Sequence, residues 1–350
     1  MTGNSFGKLL KITTWGESHG KGVGVVIDGA LPNISLSEED IQKELDRRKP
    51  GQSNIVTPRK EDDKAQILSG VFEGKTTGTP ISIVIFNKDA DSSKYEDIKH
   101  LFRPGHADFT YQKKYGFRDY RGSGRSSGRE TAGRVAAGVI ARKILEKEEI
   151  KIIGFTKQVA DIKSENFDEK EIENNPVRCA DKDKAVEMEK IIIKSKEEGD
   201  SVGGIVEVII KNVPAGIGEP VFDKLDADLA KAMMSIGAVK GVDIGAGFDV
   251  VEMKGSESND EITKEGFVSN NSGGIIGGIS TGQDIVIRIA VKPPSSIKKE
   301  QKTVDTDNND TTIQVEGRHD PCICPRVVPI AEAMAALVIA DHILLQKRFS

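Results

Sequence analysis

The sequence predicts an α+β fold, and three observations carry that reading. Segments 129–147 and 223–236 place apolar residues at helical spacing. Segment 284–292 alternates apolar and polar residues, as a half-buried strand does. Strand-like and helical segments do not alternate regularly, which a doubly wound α/β chain would require. No internal repeat and no linker divides the 350 residues, so one domain spanning 1–350 is expected.

Each element has its own justification. Ser37 with Asp40 three positions later forms a capping box, followed by Ile41 and Leu45, and Pro50-Gly51 ends that helix. Ile81 to Phe86 is rich in β-branched residues and reads as a strand. The helix at 129–147 carries Ala132, Val135, Ala136, Val139, Ile140 and Ile144. Residues 161–200, rich in acids and lysines, read as solvated helices and loops. Gly204 to Ile210 is another β-branched strand, and the helix at 223–236 uses Leu225, Leu229, Met233 and Ile236. Ile285, Ile287, Ile289 and Val291 share one face of the strand at 284–292. Residues 295–313 read as a long polar loop. Pro329 opens a C-terminal helix whose negative end suits Lys347 and Arg348. Segments 161–200 and 298–313 are the variable or loop-rich parts of the domain.

Composition narrows the function. Fifty Lys and Arg against 55 Asp and Glu leave a net charge of −5, which argues against a globally basic nucleic-acid binder. No stretch approaches the ~20 continuous apolar residues of a membrane span. No secretory h-region with a cleavage site opens the chain. Three cysteines, Cys179, Cys322 and Cys324, cannot build a disulfide framework and point to a reducing, cytoplasmic compartment. The run from His319 to Cys324 is not read as zinc-binding, because structural zinc takes four ligands in paired clusters and no second cluster exists.

Charge is concentrated. Arg103, Lys113, Lys114, Arg118, Arg121, Arg125, Arg129 and Arg134 face only Asp108, Asp119 and Glu130 in their segment. Arg47, Arg48, Lys49, Arg59 and Lys60 form a second basic run without an acid. Arginine forks are the usual partners of phosphate and carboxylate oxygens. Glycines at 122–128 open a helix, where Ser126 or Ser127 can cap and free N–H groups attract anions. The spacing matches neither a dinucleotide fingerprint nor a Walker A loop. His19, His106 and His319 lie beside Gly or Pro turns, whereas His342 sits in an apolar helix and packs. Turn histidines beside arginine-rich segments point to acid–base chemistry on a multiply anionic substrate. The glycine pairs at 273–278 read either as a backbone wall for a flat ligand or as a hairpin.

Taken together, the segments WGESHG (15–20), DRRKPGQS (46–53), ILSGVFEGKTTGTPI (67–81), FRPGHAD (102–108), RGSGRSSGRETAGRVAAG (121–138), MSIGAVKGVDIGAGF (234–248), SGGIIGGISTGQDI (272–285), KPPSSI (292–297) and GRHDPCICPRVVPIAEAMAALVIADHIL (317–344) resemble the chorismate synthase family, in the family's order. The resemblance implies a β-α-β sandwich with helices between antiparallel sheets, and a homotetramer. It implies conversion of 5-enolpyruvylshikimate 3-phosphate to chorismate and phosphate, the last step of the shikimate pathway. That step is an anti-1,4-elimination needing reduced FMN without net redox change.

The resemblance also implies roles. His19 matches the family's acid histidine, with Ser18 beside it. His106 matches the histidine near the reduced flavin's charge. Asp320 matches the acidic residue near flavin N5, with Ser127 in the relay. For the substrate's phosphate and carboxylates, Arg48, Arg125, Arg134 and Arg318 lead, with Arg47 and Arg129 behind. FMN contacts fall on Arg125, Ser126, Ser127, Gly237, Ala238, Gly277, Arg318 and the run Lys292, Pro293, Pro294, Ser295 and Ser296. Two positions depart from the family. Asn54 stands where a base is common, with Arg59 or Lys60 as possible substitutes. Gly237 stands where many members carry Asn, which leaves only backbone to bond the flavin. No separate nucleotide domain is visible, so a separate flavin reductase is expected. NADPH serves only if the chain reduces its own flavin. The alternative is a non-catalytic FMN- or phosphometabolite-binding protein on the same scaffold, which would not need this proton inventory. A nucleic-acid module built on the 101–134 stretch lacks any recognised motif.

Overall fold

A computed structural model describes residues 3–57, 61–88, 93–315, 317 and 319–349. Arg59, Lys60 and Arg318 therefore lie outside the described residues. Two five-stranded sheets, antiparallel throughout, carry the fold. The first holds β1 (Ser5–Phe6), β2 (Lys11–Gly16), β3 (Gly22–Asp28), β4 (Ala65–Ser69) and β5 (Ile81–Phe86), in the order β1-β2-β3-β5-β4. The second holds β6 (Lys151–Val159), β7 (Ile162–Lys163), β8 (Gly204–Lys211), β9 (Val239–Ile244) and β10 (Ile285–Val291), in the order β9-β10-β8-β6-β7. Among the described residues, six helices have eight residues or more. They are α1 (Glu38–Arg48), α2 (Asp108–Tyr115), α3 (Thr131–Glu146), α4 (Lys182–Glu197), α5 (Leu225–Met234) and α6 (Cys324–Gln346).

Helices α3 and α6 lie between the sheets. The first packs on β2, β3 and β5, the second on β6 and β8, and the two pack on each other. This is the sandwich the sequence implies. Its core is filled by alternating strand residues such as Val23, Val25, Ile27, Ile285, Ile287 and Ile289. Close helix approach depends on Gly138, because a Cβ there would stand 2.5 Å from the Ala333 Cβ. Helix α6 is long and apolar enough to cross a membrane, yet it is buried inside the fold. Its two carboxylates have internal partners. Asp341 accepts from the N–H groups of Lys8, Leu9 and Leu10 at 2.7–2.8 Å. Glu332 accepts from Arg47, Arg142 and the Gly154 N–H.

Three local expectations need correction. Helix α6 starts at Cys324, with Pro325 in its first turn and Pro329 inside it. Proline at 329 cannot donate to the Pro325 carbonyl. Arg178 Nη1 donates to that carbonyl instead, at 2.6 Å. Residues 295–313 contain a hairpin, Gln301–Val304 against Asp310–Ile313, whose turn is organised by the Asp305 carboxylate. Segment 161–200 is more than solvated chain. In α4, Ala185, Met188 and Ile192 form a buried stripe, and Ile172 and Ala180 cover Ile153 and Phe155 of β6. The capping box at Ser37 is formed as expected, and His342 is buried with Nε2 3.0 Å from Asp228.

Candidate active site

A cavity of about 780 Å³ opens at one end of the helical layer. Three kinds of segment build it. The Gly-rich entrance to α3 contributes Gly122, Ser126, Ser127 and Arg129. The turns before α2 and after β10 contribute His106, Lys292 and Ser296. The end of α1 and the approach to α6 contribute Arg48 and Asp320.

The α3 entrance runs through two single 3₁₀ turns, Gly124–Ser126 and Gly128–Glu130. Ser127 Oγ accepts from Arg129 N, so its capping serves the second turn rather than α3 itself. Gly122 has φ +60°, and a Cβ on it would overlap the His19 ring at 2.0 Å. Ser18 is buried behind His19. Its Oγ–H donates to the Gly122 carbonyl at 3.2 Å, so the same oxygen accepts from His19 Nδ1–H at 3.1 Å. Tyr95 meets the ring edge-on at 5.3 Å.

His106 has a tautomer dictated by its partners. The Pro104 carbonyl, 3.0 Å from Nδ1, can only accept, so Nδ1 carries the proton. Nε2 then accepts from Ser296 Oγ–H at 2.8 Å. Burial, followed by the Arg103 charge, pushes the His106 pKa down to about 4. The folded value lies below the ordinary 6.5, so this histidine's contribution to stability is complete above pH 6.5 and fades as pH falls towards 4. A proton NMR titration of the ligand-free protein should find His106 neutral at pH 6; a midpoint above 6 would contradict the geometry. Lys292 Nζ donates to the Gly105 carbonyl at 2.8 Å, which ties the two loops together.

On the opposite wall two arginines share one acid. Arg48 Nη1 lies 2.8 Å from Asp63 Oδ2, and Arg129 Nη1 bonds Asp63 Oδ1. All three side chains are buried. Burial lowers the Arg48 guanidinium to about 10 against the pull of Asp63. Burial would raise Asp63, but Arg48 and Arg129 outweigh it and hold the carboxyl below its usual range. Arg48 Nε and Arg129 Nη2 are buried without a hydrogen-bond partner. Two positive charges thus share one negative charge, and both arginines line the cavity. Asp320 is held by the Thr57 N–H at 2.9 Å and by Arg326 at 2.6 Å.

Of the residues read from the sequence, His19, His106, Asp320, Ser127, Arg48, Arg129, Ser126, Gly237 and Ala238 line this cavity. So do Lys292, Pro294, Ser295 and Ser296. Others do not. Arg47 is engaged by Glu332, Glu44 and Glu173, and Arg134 by Glu130 and Ser235. Arg125 bonds the Thr14 carbonyl and side chain on β2, turning its fork away. Pro293 is outside the lining. Gly277 sits with Gly278, both at positive φ, in the tight turn between Ile275–Ile276 and Ile279–Ser280, so that cluster is a hairpin. Asn54 faces Glu189 on α4 instead of the cavity.

Sequence reasoning passed over several lining residues as site candidates, Tyr95, Glu61 and Arg326 among them. It also missed Asp63. The pairing of Arg103 with Asp108, within the RPGHAD turn, was the nearest to a readable signal. Asp63 had none, lying 15 residues from Arg48 and 66 from Arg129.

Comparison with known proteins accounts for the arrangement. The family model described as chorismate synthase matches residues 10–344. A chorismate synthase of Chloroflexus aurantiacus is 56% identical over 99% of this chain and 97% of its own length. One from Methanosarcina mazei is 58% identical over 98% of this chain and 97% of its own length. A solved structure described as the crystal structure of chorismate synthase superimposes with a TM-score of 0.75 at 34% identity, covering 97% of this chain and 92% of that one. Fold, cavity segments and full-length identity agree, and the chain belongs to the chorismate synthase family.

Proposed function

We propose that this cavity is where the chain, as a chorismate synthase, eliminates phosphate from 5-enolpyruvylshikimate 3-phosphate to give chorismate. The observation that carries the assignment of the site is the pair of buried guanidinium groups, Arg48 and Arg129, that share the single carboxylate of Asp63 and line the cavity. The substrate brings one phosphate and two carboxylates, whose oxygens are the usual partners of guanidinium groups. His19 holds a proton for the departing phosphate. With Nδ1 occupied by Ser18, Nε2 is its exchanging atom. Asp320 and Ser127 face the same space and receive or relay the proton lost from the ring.

The residues present fit a reduced flavin. Gly237 presents bare backbone, and a Cβ added there would meet nothing within 4 Å. Ala238 beside it is held at φ +73°. That strained, side-chain-poor wall suits a flat ring system. Ser126, Ser127, Ser295, Ser296 and Lys292 would hold FMN, and His106 would face its charge. When bound, reduced FMN would supply a transient electron to the elimination without net redox change. Burial and the neighbouring Arg103 charge keep His106 neutral until an anion enters.

An oligomer, a homotetramer in the family's pattern, is supported by exposed apolar side chains. Val221, Phe222, Phe248 and Val251 are each 76–94% exposed in the single chain. Sedimentation at micromolar concentration should give four copies.

The test of function is anaerobic. Purified chain, substrate and chemically reduced FMN should release chorismate and phosphate in equal amounts over many turnovers. Binding of both without product would favour the binding-only reading. Replacing the reductant by NADPH shows whether a separate reductase is needed, which is the expected result. Arg48→Met should raise the substrate KM by roughly 10–100-fold, since a lost charge-assisted contact costs ~1.5–3 kcal/mol. An unchanged KM would remove Arg48 from the anion site.

A further inference from the structure

We propose that Arg326 is a positioning residue for Asp320. The inference rests on the proposed role of Asp320 as a proton-handling group.

Arg326 is out of place by local rules. It lies in the first turn of α6, where the helix presents its positive end, and no acid accompanies it in that turn. A cation there is unfavourable for the helix. Tertiary contacts offset this. Arg326 Nη1 donates to Asp320 Oδ2 at 2.6 Å, and Nε donates to the Arg48 carbonyl at 3.1 Å. The other oxygen, Asp320 Oδ1, accepts from the Thr57 N–H at 2.9 Å. The carboxylate is therefore held at both oxygens by two separate segments, which leaves it no freedom to rotate. Each oxygen keeps one further acceptor direction. Asp320 and Arg326 both line the cavity, so those directions remain available to a proton there.

One guanidinium thus sets the orientation of Asp320 and also donates to the Arg48 carbonyl. Arg48 lines the same cavity. Arg326 also forms part of the wall of a second cavity, of about 360 Å³, beyond the first. Its loss would release Asp320 Oδ2, while the Arg48 backbone stays held within α1.

The experiment uses Arg326→Gln, Arg326→Lys, Asp320→Asn and the double variant of Gln and Asn. Wild-type turnover is measured first; no chorismate from wild type would defeat the functional reading itself. With wild type active, Arg326→Gln should lower kcat by on the order of 10–100-fold, the scale of a displaced reacting group, with KM within about threefold. Arg326→Lys, which keeps a cation for Asp320, should recover at least part of that loss. In the Asp320→Asn background, Arg326→Gln should add little further loss, because its effect passes through the carboxylate. Quenching of oxidised FMN fluorescence and the substrate dissociation constant should stay near wild type in Arg326→Lys, which shows a folded, loaded site. Full kcat in Arg326→Gln overturns the proposal. So do losses that multiply in the double variant, and so does a folded Arg326→Lys that loses as much kcat as Asp320→Asn.

Discussion

His19→Ala should lower turnover by roughly 10²–10⁴-fold, the usual contribution of a positioned acid–base group. The surroundings of this histidine make the prediction specific. Ser18 accepts from Nδ1 because its own hydrogen is committed to the Gly122 carbonyl. Tyr95 meets the ring edge-on, and the ring packs so close to Gly122 that a Cβ there would overlap it. Imidazole held this way can exchange a proton only through Nε2. His19→Asn, which keeps polarity without a titratable ring, should lose as much as His19→Ala. Anaerobic chorismate formation under saturating substrate measures both. Retention of a third or more of wild-type kcat in either variant would remove His19 from the reaction.

Glu332→Ala should destabilise the chain by about 3–5 kcal/mol, as breaking a buried ion pair typically does. Glu332 is a buried carboxylate inside a mostly apolar helix. It accepts from Arg47 at 2.6 Å, from Arg142 at 2.8 Å and from the Gly154 N–H at 2.7 Å. Those donors come from α1, α3 and β6, so one side chain links both helices to the second sheet. Burial would raise its pKa, but Arg47 and Arg142 outweigh burial and hold it below the ordinary 4.5. The sign for acid is then clear. This stabilisation is complete above about pH 4.5 and is lost as pH falls below it. Urea unfolding at pH 7 measures the substitution; a change under 1 kcal/mol would contradict the assignment.

Both cases bear on what was legible. The alternating strand at 284–292 and the capped helix after Ser37 follow from local periodicity and chemistry, and the structure holds them. The start of α6 was misplaced by five residues because Pro329 looks like an N-terminal residue unless the fate of the Pro325 carbonyl is known. That carbonyl is satisfied by Arg178, 147 residues away. The glycine cluster at 273–278 offered two readings, and its hairpin became visible only with the strand pairing.

The arginines show the limit most clearly. Read along the chain, Arg48 ranks ahead of Arg47, and Arg125 and Arg134 rank ahead of Arg129. In space, Arg47 is taken up by Glu332, 285 residues away, whereas Arg48 lines the cavity. Arg134 is neutralised by Glu130 one helical turn before it, while Arg129 shares Asp63 and lines the cavity.

The sequence by itself determined the fold class, most elements and the set of motifs that marks the family, because these depend on periodicity, capping and residue order. Only the tertiary structure decided which cations line the cavity, which partners engage Nδ1 of His19 and of His106, and that Arg326 holds Asp320. Those properties depend on where opposite charges and hydrogen-bond partners arrive after folding, and a side chain's partner across two sheets leaves no trace in its neighbours along the chain.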